Sequence, residues 1–138
     1  MADLRSRPIG ATAMLGKTGY PAIRSATGGE LDVVTGPSQP GFNPLDLLLA
    51  SLAACMSMSA RIAAREMGLH EIVERVTATV SGEKAADEPL RFASFTVILA
   101  IDAVLDHDQR VALAHRAEEI CTVSNSLAVR PTVRVAIA

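Results

Sequence analysis

A chain of 138 residues with 49% apolar and 20% charged residues is long enough to build a packed core and too apolar to be disordered. Its net charge is −2 and it has no basic run, which makes nucleic acid and an anionic membrane surface poor candidates as partners. The length predicts one domain over residues 1–138.

The first third of the chain predicts three short antiparallel strands. Its residues are β-prone, and turn signals at 16–19 and 27–29 divide them into separate runs. The predicted strands cover residues 9–15, 20–25 and 30–34. A loop rich in Gly and Pro follows at 35–41 and separates this region from the first helix.

Asn43 and Pro44 predict the start of a long helix. Asn caps the free N–H groups, Pro suits the first helical position, and Asp46 complements the positive end of the helix dipole. The helix is predicted to run over 44–67, with Gly68 as its C-terminal stop. Its first half is apolar on every side, which predicts burial all round and packing of some apolar surface against a second subunit.

The second half of the chain predicts two longer strands, a helix and a closing strand. The predicted elements are, in order, strands 72–83 and 92–103, a helix over 107–121 capped by Asp106, a short helical turn, and a strand over 132–137. The order β-β-β-α-β-β-α-β lacks a repeated strand–helix–strand unit. It therefore predicts an α+β fold with a mainly antiparallel sheet and a long central buried helix.

The sequence also predicts a cytoplasmic protein. Residues 1–8 have no apolar core, so a signal peptide is not expected. The longest apolar stretch, 47–60, is judged too short and too polar at its end to span a bilayer. In a reducing cytosol, a pair of cysteines is expected to be catalytic, redox-active or simply buried rather than a standing structural disulfide.

The two cysteines are the most informative residues. Cys55 lies in the long apolar helix, and Cys121 lies where the second helix has to stop or bend. Two such thiols can perform two-electron redox chemistry without a metal or an organic cofactor. Both also have a plain structural interpretation, because free Cys is among the most buried residue types. Since Cys55 is in mid-helix, a low pKa of its thiol is predicted to need a nearby cation.

No other chemistry is indicated by the titratable residues. His70, His107 and His115 have no spacing that would build a metal site with either cysteine. The sequence also lacks a Gly-rich phosphate loop, a Ser nucleophile elbow and a paired-carboxylate motif. No metal and no cofactor is therefore expected.

The two cysteine motifs resemble those of a known family. An Asn-Pro start is followed by a Leu- and Ala-rich helix with Ala-Ala-Cys at 53–55, and Cys-x-Val-Ser-Asn-x-Leu follows at 121–127. In these motifs, and in the predicted order of elements, the chain resembles the OsmC/Ohr family of osmotically induced and organic hydroperoxide resistance proteins. The resemblance covers almost the whole chain.

That resemblance implies a stress-response antioxidant function and an intertwined homodimer with sites at the subunit interface. Cys55 would be the peroxidatic thiolate that attacks organic hydroperoxides, and Cys121 would close a disulfide with it. A dithiol reductant, lipoyl-type in the family, would reopen the disulfide. The apolar pocket for the substrate would be lined by Leu48, Leu52, Met56 and Met58.

The chain departs from the family at the residues that activate the thiolate. The family places a Glu directly after Asn-Pro, where this chain has Leu45, and the acid comes one place later at Asp46. One residue along a helix is a rotation of about 100°, so Asp46 does not simply replace that Glu. The family's partner Arg is matched by Lys17, and Arg24 is a candidate replacement. As plain structure, these three charges are exposed turn, strand and helix-start residues.

Three functions stay open on the sequence alone. The first is a dimeric two-cysteine peroxidase, which the retained cysteines favour. The second is a small-molecule binding protein with slow or incidental cysteines, which Leu45 and Lys17 favour. The third is a redox sensor in which a disulfide between Cys55 and Cys121 alters a partner contact.

Overall fold

The computed structural model describes residues 6–136. The chain divides into two compact units, one ending at Leu47 and the other beginning at Leu48. The single domain over 1–138 stays a prediction. The predicted absence of a signal peptide rests mostly on residues 1–5, which lie outside the described residues, as does the predicted end of the last strand at 137.

The first unit contains a three-stranded antiparallel sheet in the order β1-β2-β3. Its strands are β1 (Ala11–Met14), β2 (Ala22–Ser25) and β3 (Glu30–Asp32). All three are shorter than predicted. β2 begins only after Pro21, which has no N–H to donate to a neighbouring strand. β3 stops at Asp32, and the next residue, Val33, forms an isolated bridge with Phe42.

Helix α1 (Pro44–Glu66) begins and ends as predicted. At its start, the Asn43 side-chain Oδ1 accepts the Asp46 N–H at 2.7 Å, and the Asp46 carboxylate accepts the Asn43 N–H at 3.1 Å. At its end, Gly68 has φ +73° and Leu69 N–H donates to the Ala64 carbonyl at 2.7 Å. This is the left-handed stop that glycine accommodates best.

The prediction that the first half of α1 is buried on all sides is wrong for the single chain. The helix has one fully buried stripe, while Ala54, Met58 and Ile62 on another face are exposed. Spacing of four residues places these three on one line along the helix, because side chains at i and i+4 lie one above the other. An apolar line without cover on one chain is typical of a surface that packs elsewhere.

The judgement that the apolar stretch is too short to cross a membrane also needs correction. The helix runs for 23 residues, and by length and composition alone it could span a bilayer. A core helix passes the same test. Its Leu52, Met56, Ala60 and Ala63 have no exposed surface and belong to the hydrophobic core, so one face of α1 is covered by protein.

The second unit contains a three-stranded sheet in the order β4-β5-β6. Strands β4 (Arg75–Lys84) and β5 (Phe92–Asp102) pair antiparallel, and β6 (Thr132–Val135) pairs parallel to β5. β4 begins later than predicted because the N–H groups of Ile72 and Val73 both donate to the Leu69 carbonyl in a turn. From Phe95 onward, β5 alternates between residues packed on the core and residues with greater exposure, so one face of the strand is turned to solvent.

Two further helices lie between β5 and β6: α2 (His107–Ile120) and α3 (Thr122–Ser126). The predicted cap is confirmed, since the Asp106 carboxylate accepts the Gln109 N–H at 2.8 Å and the Gln109 side chain accepts the Asp106 N–H. Cys121 ends α2 and begins α3. The α+β class and the predicted order of elements are confirmed. The predicted helical turn is α3, and the closing strand β6 joins the sheet parallel to β5.

The cap of α2 provides a stability test. Asp106→Ala is expected to lower the free energy of unfolding by about 1 kcal/mol, because the freed N–H groups lose their acceptor. Asp108→Ala in the same turn is the matched control, and its loss should be smaller because it only weakens a favourable charge at the helix start. Urea denaturation of both variants measures the difference, and equal losses would contradict the assigned cap.

Candidate active site

Cys55 and Cys121 come together in the second unit, although 65 residues separate them along the chain. Cys55 lies in the middle of α1 and is partly exposed, whereas Cys121 lies at the α2–α3 junction and is fully buried. Each thiol shifts the pKa of the other, so the two side chains lie beside each other, and both are free thiols. A partly exposed thiol in contact with a buried one can accept a small reactant and then be closed by its neighbour.

The surroundings of Cys55 favour its thiolate. Burial raises the pKa of the Cys55 thiol, but hydrogen bonds from the Val123 backbone, the Cys121 thiol, the Ser59 hydroxyl and the Thr122 backbone outweigh burial and lower the pKa below its ordinary value. All four groups are hydrogen-bond donors without a charge. Cys55 has no free N–H groups beside it on α1, and the first turn of α3 provides them. The pKa of Cys55 is therefore lowered by neutral donors and not by the predicted cation.

Cys121 is held in the opposite state. Burial raises the pKa of the Cys121 thiol, and although the Ser124 backbone N–H opposes this, the hydrogen bond and charge of Cys55 raise the pKa further. The Ser124 N–H lies 3.4 Å from the Cys121 sulfur. Of the two thiols, Cys55 is therefore the one that ionises more readily, and Cys121 is the one that holds its proton more strongly.

The α2–α3 junction that carries Cys121 is fixed by Asn125. Its side-chain Nδ2 donates to the Glu119 carbonyl at 3.0 Å, in the last turn of α2. Its Oδ1 accepts from the Arg130 guanidinium at 3.1 Å, and Arg130 also pairs with Glu118. These contacts fix the turn at the junction and hold the first N–H groups of α3 against Cys55.

The charged residues considered as thiolate activators have other partners or positions. The Arg24 guanidinium donates to the Glu30 carboxylate at 2.8 Å across neighbouring strands of the first unit. Asp46 is engaged in the cap of α1, and Lys17 lies exposed in the turn between β1 and β2. Their activating role stays a prediction.

The four residues predicted to line the pocket divide between two environments. Leu52 and Met56 are fully buried in the core, and Leu48 packs against it. Met58 points to the exposed face, where 57% of its surface is accessible. Spacing of four residues puts Leu48, Leu52 and Met56 on one side of α1, whereas Met58 lies roughly opposite Met56, about 200° away. Their joint pocket stays a prediction.

Three donors to Cys55 were not singled out from the sequence. Ser59 is 3% exposed and lies one helical turn after Cys55, a spacing that could have indicated the contact. The N–H groups of Thr122 and Val123 carry no such signal, since any residue at those positions offers one. Within residues 6–136, no group of three or more His, Cys, Asp or Glu residues could hold a metal ion.

Ser59 gives a prediction on pH dependence. The rate of alkylation of Cys55 by iodoacetamide should rise with pH through a midpoint below that of an ordinary cysteine, which is about 8.5. Ser59→Ala should move the midpoint upward, because the thiolate loses a donor and its neutral form is favoured. Ser57→Ala is the matched control, since the Ser57 hydroxyl donates to the Ala54 carbonyl at 2.8 Å. Identical profiles for both variants would contradict the role of Ser59.

The fold and the thiol pair define a class: an α+β protein with two free cysteines brought together from separate helices. The OsmC family model, described as "OsmC-like protein", matches residues 36–136. The chain therefore belongs to the OsmC-like protein family. None of the curated proteins compared with it shows a significant match.

Solved structures of the OsmC/Ohr family share this fold. An organic hydroperoxide resistance protein OsmC from Legionella pneumophila is 21% identical, with 95% of this chain and 98% of that chain covered and a TM-score of 0.78. The organic hydroperoxide resistance protein OhrB of Bacillus subtilis is 25% identical, with 94% and 98% covered and a TM-score of 0.72. An OsmC-like protein from Mycoplasma pneumoniae is 18% identical, with 94% and 96% covered and a TM-score of 0.81.

Proposed function

We propose that the protein is a thiol-dependent peroxidase that reduces organic hydroperoxides. The observation that carries the proposal is the closeness of two free thiols, of which Cys55 has a lowered pKa and Cys121 a raised pKa. Two similar structures are of organic hydroperoxide resistance proteins, which supports this class of substrate. The protein acts in the cytoplasm, where a dithiol can return the pair to its reduced state.

The cycle has three steps. The Cys55 thiolate attacks the distal oxygen of the hydroperoxide, the O–O bond breaks, and the alkoxide leaves as an alcohol after taking a proton from solvent. Cys55 is then a sulfenic acid. Cys121 attacks the Cys55 sulfur, a disulfide forms, and the hydroxyl leaves as water with the proton of Cys121. A dithiol of the lipoyl type then reduces the disulfide by exchange and is itself oxidised to a cyclic disulfide.

We further infer that the working protein is a homodimer. The exposed line of Ala54, Met58 and Ile62 on α1 supports this, because a second copy would offer the same apolar line in return. In such a dimer, the apolar surface beside the partly exposed Cys55 would receive the alkyl group of the substrate.

The proposal is tested by turnover. The protein should consume excess cumene hydroperoxide continuously when dihydrolipoamide is present, and much more slowly with glutathione, because a dithiol completes the exchange within one molecule. Hydrogen peroxide should be the poorer substrate, since it has no apolar group to bind. A protein that consumes no cumene hydroperoxide with either reductant would overturn the peroxidase assignment.

A second candidate function is favoured by a specific observation. Leu45 stands where the family has a Glu, and Arg24 is paired with Glu30. A chain without the family's activating pair would suit a binding or redox-sensing protein in which the disulfide forms slowly and is not turned over. Formation of the disulfide in the absence of catalytic turnover would favour this candidate over the peroxidase.

A further inference from the structure

The side-chain hydroxyl of Ser124 is buried and has no role in the interactions described above. The residue has no exposed surface, and among the residues that the structure describes its Oγ has no hydrogen-bond partner. A buried hydroxyl without a partner costs free energy, so such groups are rare in proteins. The other serines of this region illustrate the contrast: Ser126 lies in the same short helix, and its hydroxyl donates to the Thr122 carbonyl at 2.7 Å.

Ser124 lies next to Cys121 at the start of α3. Cys121 is the N-cap residue of α3, and Ser124 lies three positions later. The backbone N–H of Ser124 already donates to the Cys121 sulfur, with a distance of 3.4 Å between nitrogen and sulfur. Side chains at these two positions of a helix start face each other. A rotation about the Cα–Cβ bond of Ser124 is the movement that would turn its hydroxyl toward the sulfur.

We propose that the Ser124 hydroxyl is a donor held for the Cys121 sulfur during disulfide closure. This inference rests on the proposed function. In the reduced pair Cys55 ionises more readily than Cys121, so Cys121 is the thiol that ionises second. Once Cys55 is a sulfenic acid, the negative charge has to develop on the Cys121 sulfur before it can attack. Ser124 then meets that charge with two donors, its N–H and its hydroxyl.

The step is balanced without any further reactant. The Cys121 sulfur forms a bond to the Cys55 sulfur, the S–O bond of the sulfenic acid breaks, and the proton of Cys121 leaves with the hydroxyl as water. Ser124 lends a hydrogen bond and keeps its own proton. The buried setting makes this bond stronger than it would be in water, because no solvent competes for the developing thiolate.

The inference predicts that Ser124→Ala separates the two oxidation steps. With one equivalent of cumene hydroperoxide, trapping with dimedone should show sulfenic acid on Cys55 forming at the wild-type rate. Disulfide closure should be slower by on the order of tenfold, the contribution of one hydrogen bond to a charged group. Ser126→Ala is the matched control and should close at the wild-type rate.

Two further measurements keep the test decisive. The melting temperature of Ser124→Ala should not fall, since the change removes a buried hydroxyl that has no partner, so slow closure could not be assigned to unfolding. Diamide forms the disulfide through a Cys55 adduct without a peroxide. Slow disulfide closure in Ser124→Ala with diamide would support the role of Ser124. If cumene hydroperoxide is not a substrate, only the proposed peroxidase function is contradicted, because the diamide result does not depend on it. Closure at the wild-type rate with diamide overturns the role of Ser124.

Discussion

Replacing Cys55 with serine is expected to abolish turnover of cumene hydroperoxide. The hydroxyl of serine is not ionised near neutral pH, so the nucleophile that breaks the O–O bond is lost. The rate should fall by about a thousandfold or more, as it does when other enzymes lose their nucleophile. The measurement is hydroperoxide consumption with dihydrolipoamide as the reductant.

Cys121→Ser is the matched variant, because it removes the other thiol of the pair. Without a reductant it should still consume about one equivalent of hydroperoxide and then stop, with Cys55 held as a sulfenic acid. Its first step should stay near the wild-type rate, since the serine hydroxyl keeps a hydrogen-bond donor beside the Cys55 thiol. If both variants lost activity equally in a single turnover, the division into peroxidatic and resolving thiols would be wrong.

A charge on the exposed line of α1 is expected to separate the proposed dimer. Met58 is 57% exposed in the single chain and lies between Ala54 and Ile62 on the same helical face. In Met58→Asp, a carboxylate would have to be buried against apolar surface without a partner. The dissociation constant of the dimer should rise on the order of a hundredfold or more, which sedimentation equilibrium can measure.

Val104→Asp is the control for this substitution. Val104 is 96% exposed in the turn between β5 and α2, so the same change of chemistry there should leave the dimer intact. If Met58→Asp had the wild-type dissociation constant, the dimer interface would not include this face of α1. A wild-type protein that is monomeric at high concentration would contradict the homodimer itself.

The parts of the fold that depend on local chemistry could be predicted from the sequence. Asn43 and Gly68 mark the two ends of α1, and Asp106 marks the start of α2, because capping is settled within one turn of each residue. The strand limits could not be predicted in the same way, because they depend on hydrogen bonds outside the strands themselves. Ile72 fits the apolar alternation of β4, yet its N–H donates within the turn after α1.

The environment of the thiols could be predicted only in part. The two cysteine motifs indicated Cys55 and Cys121, but the fall in the pKa of the Cys55 thiol depends on backbone groups of α3. Those groups are the same in every sequence, so only the three-dimensional structure relates them to Cys55. The predicted burial of α1 was too extensive. An apolar helix face indicates that something packs against it, but not whether the same chain does so, and in this chain part of that face is exposed.

The central claim is that Cys55 and Cys121 work as one redox pair, and its most direct test is a single-turnover experiment. Fully reduced protein is mixed with one equivalent of cumene hydroperoxide, free thiols are counted, and the intact mass is measured. The account predicts rapid loss of both thiols and a mass lower by two hydrogen atoms, with no such change in Cys55→Ser. Two thiols that survive for hours at this ratio would contradict the account.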